Sequence, residues 1–225
     1  MAHYLSRPDA ENAAAATLRQ YSRQTGCRIK PPIQVDMIGE LLYNLRWEYG
    51  PMEEVGPQTL AALYPNERLV RLNERYAARF EEVIGLDHFT KGHEIGHWIL
   101  HVRHESRTTP TLESAKSAQL FCRESPTTGL GSDTRGRTNS SESKWIERQA
   151  DWFATGLLMP EEWVIRVARQ YHNITRETIC EMSEQFAVSR EALRIRLENL
   201  GLIYVDEKDR ICRSSDENTG QTSLF

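Results

Sequence analysis

The stretch KGHEIGHWILH, Lys91 to His101, places His93 and His97 four residues apart, with Glu94 directly after the first histidine. A helix turns about 100° and rises about 1.5 Å per residue, so the two imidazoles fall one turn apart on one face. That spacing lets both rings reach a single cation at roughly 2.0–2.1 Å. Glu94 is rotated about 100° from His93. It can flank the ion rather than bind it, and hold a water there as general base. The competing reading is that the two histidines are simply packed core residues.

Catalytic zinc usually takes three protein ligands and leaves one position open. Continuing the first helix as HExxHxxGxxH requires Gly at position 100 and His at 103. The chain has Leu100 and Arg103 there, which closes that route. A second helix offers another: in WIERQADWFATGLLMP, Glu147 and Asp151 lie four apart on one face. Ala150 and Ala154 keep the neighbouring surface small enough for a close helix–helix approach. Glu147 is the expected third ligand. Asp151 would accept the free ring N–H of one histidine and so fix its tautomer. Without the HExxH stretch, the same two acids would read as a solvated helix face. By ideal helical geometry His101 has drifted about 80° from His93. It is expected to be a helix-end or supporting residue and not a ligand. His104 sits at the edge of a polar segment.

The elements that must position these groups follow from periodicity and punctuation. Ser6 caps an alanine-rich helix that stops at Gly26, and Lys30–Pro32 is a break. Ile33 to Leu45 has helical spacing, with Val35, Ile38, Leu41 and Leu42 on one side. LRWEYG and TLAALYPNERLVRLNE read as strands, with a turn at Pro65 and Asn66. ERYAARFEEVIG is a helix that Gly85 could end, and Asp87 is a plausible N-cap for the next. Residues 103–143 are rich in Ser, Thr, Gly and Arg without periodicity and read as a long mobile loop, a candidate lid, with Leu120–Arg123 as its apolar anchor. Two helices around a turn at Phe186–Val188 follow, the second capped by Ser189 and closed by Gly201. LIYVDEKDRICR reads as a small hairpin, and the residues beyond it as a polar tail.

The chain has 225 residues, a formal charge of −4 and a pI near 6.0. This mild acidity gives no electrostatic reason to expect nucleic acid or an anionic membrane as main partner. No secretory signal is legible at the N-terminus, and no run approaches the roughly 20 apolar residues of a membrane span. The four cysteines (Cys27, Cys122, Cys180, Cys212) form no CxxC pair and suit a reducing, cytoplasmic setting.

With FTKGHEIGHWILH and ERQADWFATGLLMP together, the chain resembles the ImmA/IrrE family of bacterial zinc metallopeptidases. PPIQVDMIGELL, LAALYP and VRLNE look like that family's first helix and strands. SEQFAVSREALRIRLENLGLI looks like its helix-turn-helix-like extension. The resemblance runs from about Ile29 to Tyr204. It implies an α+β fold: a zincin-like, gluzincin-type core with a small antiparallel or mixed sheet at 1–160, interrupted by an insertion at about 103–143. A helix-turn-helix-like extension at 161–213 and a tail at 214–225 would follow. It implies Zn²⁺ held by His93, His97 and Glu147, with Glu94 as catalytic base; Mn²⁺ would accept the same ligands. It also implies a protein substrate, a helix-turn-helix repressor cleaved in stress response or mobile-element regulation. Two departures from the family pattern, Gly92 in place of the usual Ala and Gly156 within the second helix, are expected to loosen packing. Residues 103–143 are also long for the family.

Peptide hydrolysis further requires an oxyanion donor, for which Tyr64, Tyr76 and His104 are alternatives. An extended substrate could lie along an edge of the upstream strands. The rival is a transcription regulator that uses Thr178–Gly201 as a recognition module, with Arg190, Arg194 and Arg196 directed at a groove and the metal structural. Between Ile174 and Arg213 seven basic side chains face eight acidic ones, a poor balance for phosphate contact.

Overall fold

The computed structural model describes residues 5–52, 59–102, 120–123, 141–207 and 210–212. Helix α1 (Arg7–Thr25) begins at a reciprocal cap. The Ser6 hydroxyl accepts the Asp9 N–H at 3.4 Å, and the Asp9 carboxylate accepts the Ser6 N–H at 2.9 Å. It ends at Gly26, where φ of 72° places the backbone in the left-handed region that glycine adopts without penalty. Helix α2 (Val35–Tyr43) buries Val35 and Ile38, but Leu41 is 44% exposed, unlike the expected apolar side. The helix presents Val35, Ile38 and Gly39 inward and leaves Leu41 outside that contact.

Four strands form one mixed sheet in the order β1-β3-β2-β4: β1 (Arg46–Gly50), β2 (Thr59–Tyr64), β3 (Leu69–Asn73) and β4 (Leu120–Arg123). β1 runs parallel to β3, and β2 pairs antiparallel with both β3 and β4. The β2–β3 connection passes through a single 3-10 turn, Pro65–Glu67, with Arg68 at φ 49°. Residues 59–63 of β2 are all buried, which explains why this strand reads as a continuous apolar run. The expected anchor Leu120–Arg123 is strand β4, with Ala62 opposite Phe121 and Leu63 opposite Leu120. The remainder of the expected mobile loop, up to residue 140, lies outside the described residues, as do His104 and the tail.

Helix α3 (Ala77–Glu82) stops before Gly85, and α4 (Ile84–His97) starts almost at once. Asp87 therefore lies inside α4 and does not cap it. The reason is an ion pair: the Lys91 ammonium sits 2.8 Å from Asp87 and 2.7 Å from Asp36 of α2. Burial pulls the Lys91 pKa down, but these two carboxylates outweigh it and raise the pKa. Gly85 has a packing role instead. A Cβ there would stand 2.8 Å from the backbone of Val188 and Ser189, so its absence lets a distant turn seat against the start of α4.

That turn belongs to the C-terminal helices. α5 (Ser141–Leu158) is followed by α6 (Glu161–Ala168), α7 (Arg176–Phe186) and α8 (Arg190–Asn199). Ser189 caps α8 by accepting the Ala192 N–H at 3.1 Å. A two-stranded hairpin, β5 (Tyr204–Val205) with β6 (Ile211–Cys212), closes the described chain. The apolar core runs without a break from Ala10 and Leu18 through Phe153 and Leu157 to Phe186, Leu193 and Ile203. The C-terminal helices thus share the core of the N-terminal elements. No helix among the described residues is long and apolar enough to cross a membrane.

Candidate metal centre

Helices α4 and α5 pack with their small residues in contact. A Cβ on Gly92 would meet Ala154 at 3.5 Å, and one on Gly96 would meet Ala150 at 3.1 Å. Gly156, on the same helix as Ala150, lies 3.2 Å (as a hypothetical Cβ) from Glu11 of α1. Gly156 is therefore a close-contact residue that seats α1 on α5, and Gly92 has room for a methyl group; neither glycine leaves a gap.

This close approach brings His93, His97 and Glu147 together, with one potential ligand atom from each lying within 4.8 Å of the others. The Nε2 atoms of the two histidines are 2.8 Å apart. Glu147 Oε2 is 3.2 Å from His93 Nε2, and its Oε1 is 3.6 Å from His97 Nε2. The corners of a tetrahedron whose centre lies 2.0–2.1 Å from each are about 3.3–3.4 Å apart, and the observed separations bracket that value. Two imidazole nitrogens, a carboxylate and no thiolate form a donor set suited to zinc or a similar divalent ion. Both histidines are buried, and Glu147 is partly exposed. Asp151, one turn after Glu147, accepts from His93 Nδ1 at 2.9 Å, which leaves His93 Nε2 to face the other two groups.

The electrostatics follow from this geometry. Burial pushes His97 down to about 4, helped by His93, so its ring is neutral near pH 7. Burial alone would raise Glu147, but its hydrogen bonds to His93 and His97 outweigh that and hold it at about 2. Glu94 is fully buried; burial, with the Glu147 charge adding to it, raises its pKa to about 8 against the pull of His93. Neither Glu94 carboxyl oxygen has a hydrogen-bond partner among the described residues. A buried carboxyl with both oxygens unsatisfied is costly to fold, and such exceptions concentrate where chemistry is done.

His101 stands closer to the centre than ideal helix geometry predicts. After His97 the helix widens into a π-turn over Trp98–Val102, which rotates less per residue. His101 Nδ1 consequently lies 3.2 Å from His97 Nδ1. Its Nε2 lies 3.0 Å from Oε1 of the buried Gln149. Sequence reasoning overlooked Gln149; the available signal was an amide among apolar residues on the inner side of α5.

Two of the three arginines needed by the DNA-binding alternative are engaged elsewhere. Arg196 is 2% exposed, donating to Glu11 at 2.9 Å and to the Met159 carbonyl at 3.1 Å. Arg194 is paired with Glu191 and Glu198. Of the oxyanion candidates, Tyr64 carries the Arg71 guanidinium over its ring, and His104 lies outside the described residues.

The fold is mixed α and β, mostly helical, and its helix pair sets an HExxH segment against a carboxylate from a second helix. Residues 127–198 match the family model of the IrrE N-terminal-like domain, the M78 peptidases. This match supports the likeness to the ImmA/IrrE family that the two motifs carry. The matched span includes Glu147 and Asp151 and leaves out His93, Glu94 and His97. No curated protein matches the sequence. Among solved structures, a Mycobacterium tuberculosis transcriptional regulator is similar at 12% identity and a TM-score of 0.48, over 90% of this chain and 54% of that one. The chain thus spans about half the length of that protein.

Proposed function

We propose that this chain is a metal-dependent endopeptidase of zincin-like, gluzincin-type organisation that hydrolyses a peptide bond in a protein partner. The observation that carries the reading is the convergence of His93, His97 and Glu147 beside a buried Glu94 whose oxygens have no partner among the described residues. His93, His97 and Glu147 would hold the ion, Zn²⁺ first and Mn²⁺ as the alternative, and Asp151 orients His93. Such an ion supplies Lewis acidity, making water more acidic and a carbonyl more electrophilic. Glu94 takes a proton from the attacking water as its oxygen bonds to the carbonyl carbon. It then delivers that proton to the amine nitrogen as the C–N bond breaks.

Strand β4 is the outermost strand of the sheet on the β2 side among the described residues, and an extended peptide could add to it. Family resemblance supports a helix-turn-helix repressor as substrate, cleaved in the cytoplasm during stress or mobile-element induction; this rests on association and not on the site itself. Purified protein loaded with Zn²⁺ should cleave a repressor encoded beside its gene. Glu94→Gln should retain the metal and lose cleavage by about 10²-fold or more. Undiminished proteolysis in that variant would refute the assignment.

A further inference from the structure

A single file of hydrogen bonds leads from the candidate centre out to the segment before α1. His97 Nδ1 is 3.2 Å from His101 Nδ1, and His101 Nε2 is 3.0 Å from Gln149 Oε1. The Gln149 amide nitrogen is 3.4 Å from the Leu5 carbonyl oxygen. We infer that the Leu5 carbonyl, through Gln149 and His101, fixes the tautomer of His97 so that its Nε2 lone pair faces the metal position. Leu5, Gln149 and His101 are then positioning residues.

The argument runs one way because one end has no choice. A backbone carbonyl can only accept, so the Gln149 NH₂ must face Leu5. Its Oε1 then faces His101 and can only accept, which places the His101 proton on Nε2. A neutral imidazole with its proton on Nε2 has a bare Nδ1. His101 Nδ1 therefore accepts, and a His97 that holds the ion through Nε2 carries its proton on Nδ1. Its Nε2 is left unprotonated, 2.8 Å from His93 Nε2 and 3.6 Å from Glu147. With an ion held at His97 Nε2, every link of the file pairs one donor with one acceptor. The π-turn at Trp98–Val102 gives the file its reach, since it returns His101 to the flank of His97.

Asp151 performs the same task for His93 with a carboxylate. The two ligand histidines thus have unlike supports: a charged acceptor on α5, and a neutral chain ending on backbone next to the α1 cap. The second support makes seating of the N-terminal segment a condition for a well-formed centre.

This inference rests on the metal reading above, and its test separates the two. In Zn²⁺-loaded protein with ¹⁵N-labelled histidine, nitrogen–proton correlation spectra should show His97 protonated at Nδ1 and His101 neutral and protonated at Nε2. A His101 protonated at Nδ1, or at both nitrogens, would overturn the inference without any variant. Zn²⁺ affinity is then measured by competition with a chromophoric chelator. His101→Leu should weaken binding about 10- to 100-fold. His101→Asn puts an amide oxygen where Nδ1 stood and should recover most of that loss. Equal affinity in His101→Leu and the wild type would also overturn the inference. Failure of the wild type to take up Zn²⁺ would strike the metal reading and this inference with it, whereas unchanged affinity in His101→Leu strikes this inference alone.

Discussion

A Cβ on Gly96 would stand 3.1 Å from both the Cα and the carbonyl oxygen of Ala150, so α4 and α5 meet backbone to backbone beside the residues that converge. Such a contact is tighter than side chains normally allow, and a methyl group must push the helices apart. Gly92, one turn earlier, has 3.5 Å to its nearest neighbour, the Ala154 Cβ. Gly96→Ala should cost about 1–3 kcal/mol of stability and weaken Zn²⁺ binding by misplacing Glu147. Gly92→Ala should be neutral, or stabilise by up to about 1 kcal/mol through helix propensity. Urea unfolding and zinc competition on both variants check this; equal behaviour of the two alanines would contradict the packing argument.

Metal-free protein should lose stability with rising pH through Glu94. Its folded pKa of about 8 lies above the unfolded value of about 4.3, so the folded state holds the proton more tightly. Its contribution is fully present below about pH 4.3 and is lost as pH rises through about 8. His97 and Glu147, both depressed, act in the opposite sense at lower pH. The comparison with Glu94→Gln isolates the Glu94 part. After metal removal by chelation, Glu94→Gln should gain stability over the wild type between pH 5 and 8, by no more than about 1.4 kcal/mol per pH unit. Parallel pH profiles of the two proteins would show that Glu94 does not titrate across this range.

The helices, strands and caps were largely legible because local chemistry sets them. Ser6, Gly26 and Ser189 act as their residue types dictate, and the apolar run Leu60–Leu63 announced a strand buried on both faces. Asp87 misled because the feature suggesting a cap was engaged by Lys91 and, across space, Asp36. The same limit applies to Gly85, which looks like a stop and is a seat for the Val188–Ser189 turn. Within the site, the spacing of His93 and His97 was readable, since one helix carries both. The place of His101 was not, because ideal α geometry omits the π-turn after His97.

Removing the Glu147 carboxylate tests the third corner. Wild-type protein in excess Zn²⁺ should unfold at a higher temperature than chelator-treated protein; occupancy at a hundred times Kd is worth about 2.7 kcal/mol. Glu147→Gln keeps the size of the side chain but gives up the charge and one acceptor oxygen, and its zinc-dependent shift should largely vanish. Asp151→Leu should retain a reduced shift, since it removes only the support of His93 Nδ1, at about 10- to 100-fold in affinity. A full shift in Glu147→Gln would place the ion elsewhere.

The last prediction concerns how the C-terminal helices are held. Arg196 on α8 is buried, donating from one guanidinium nitrogen to both Glu11 oxygens at 2.9 Å and from Nε to the Met159 carbonyl. Arg196→Met leaves the Met159 carbonyl without its guanidinium donor and Glu11 with Arg7, at 2.8 Å, as its remaining cation among the described residues. Breaking a buried pair from one side typically costs about 3–5 kcal/mol, and the remaining Arg7 contact should hold the loss to about 2–4 kcal/mol. Arg196→Met with Glu11→Leu should recover part of it, because no buried charge is then stranded. Since the core passes unbroken from α1 through α5 to α8, the loss should appear as one cooperative urea transition moved to lower concentration, with its slope unchanged. Two separate transitions, only the weaker shifted by Arg196→Met, would mean that the C-terminal helices fold as a unit apart.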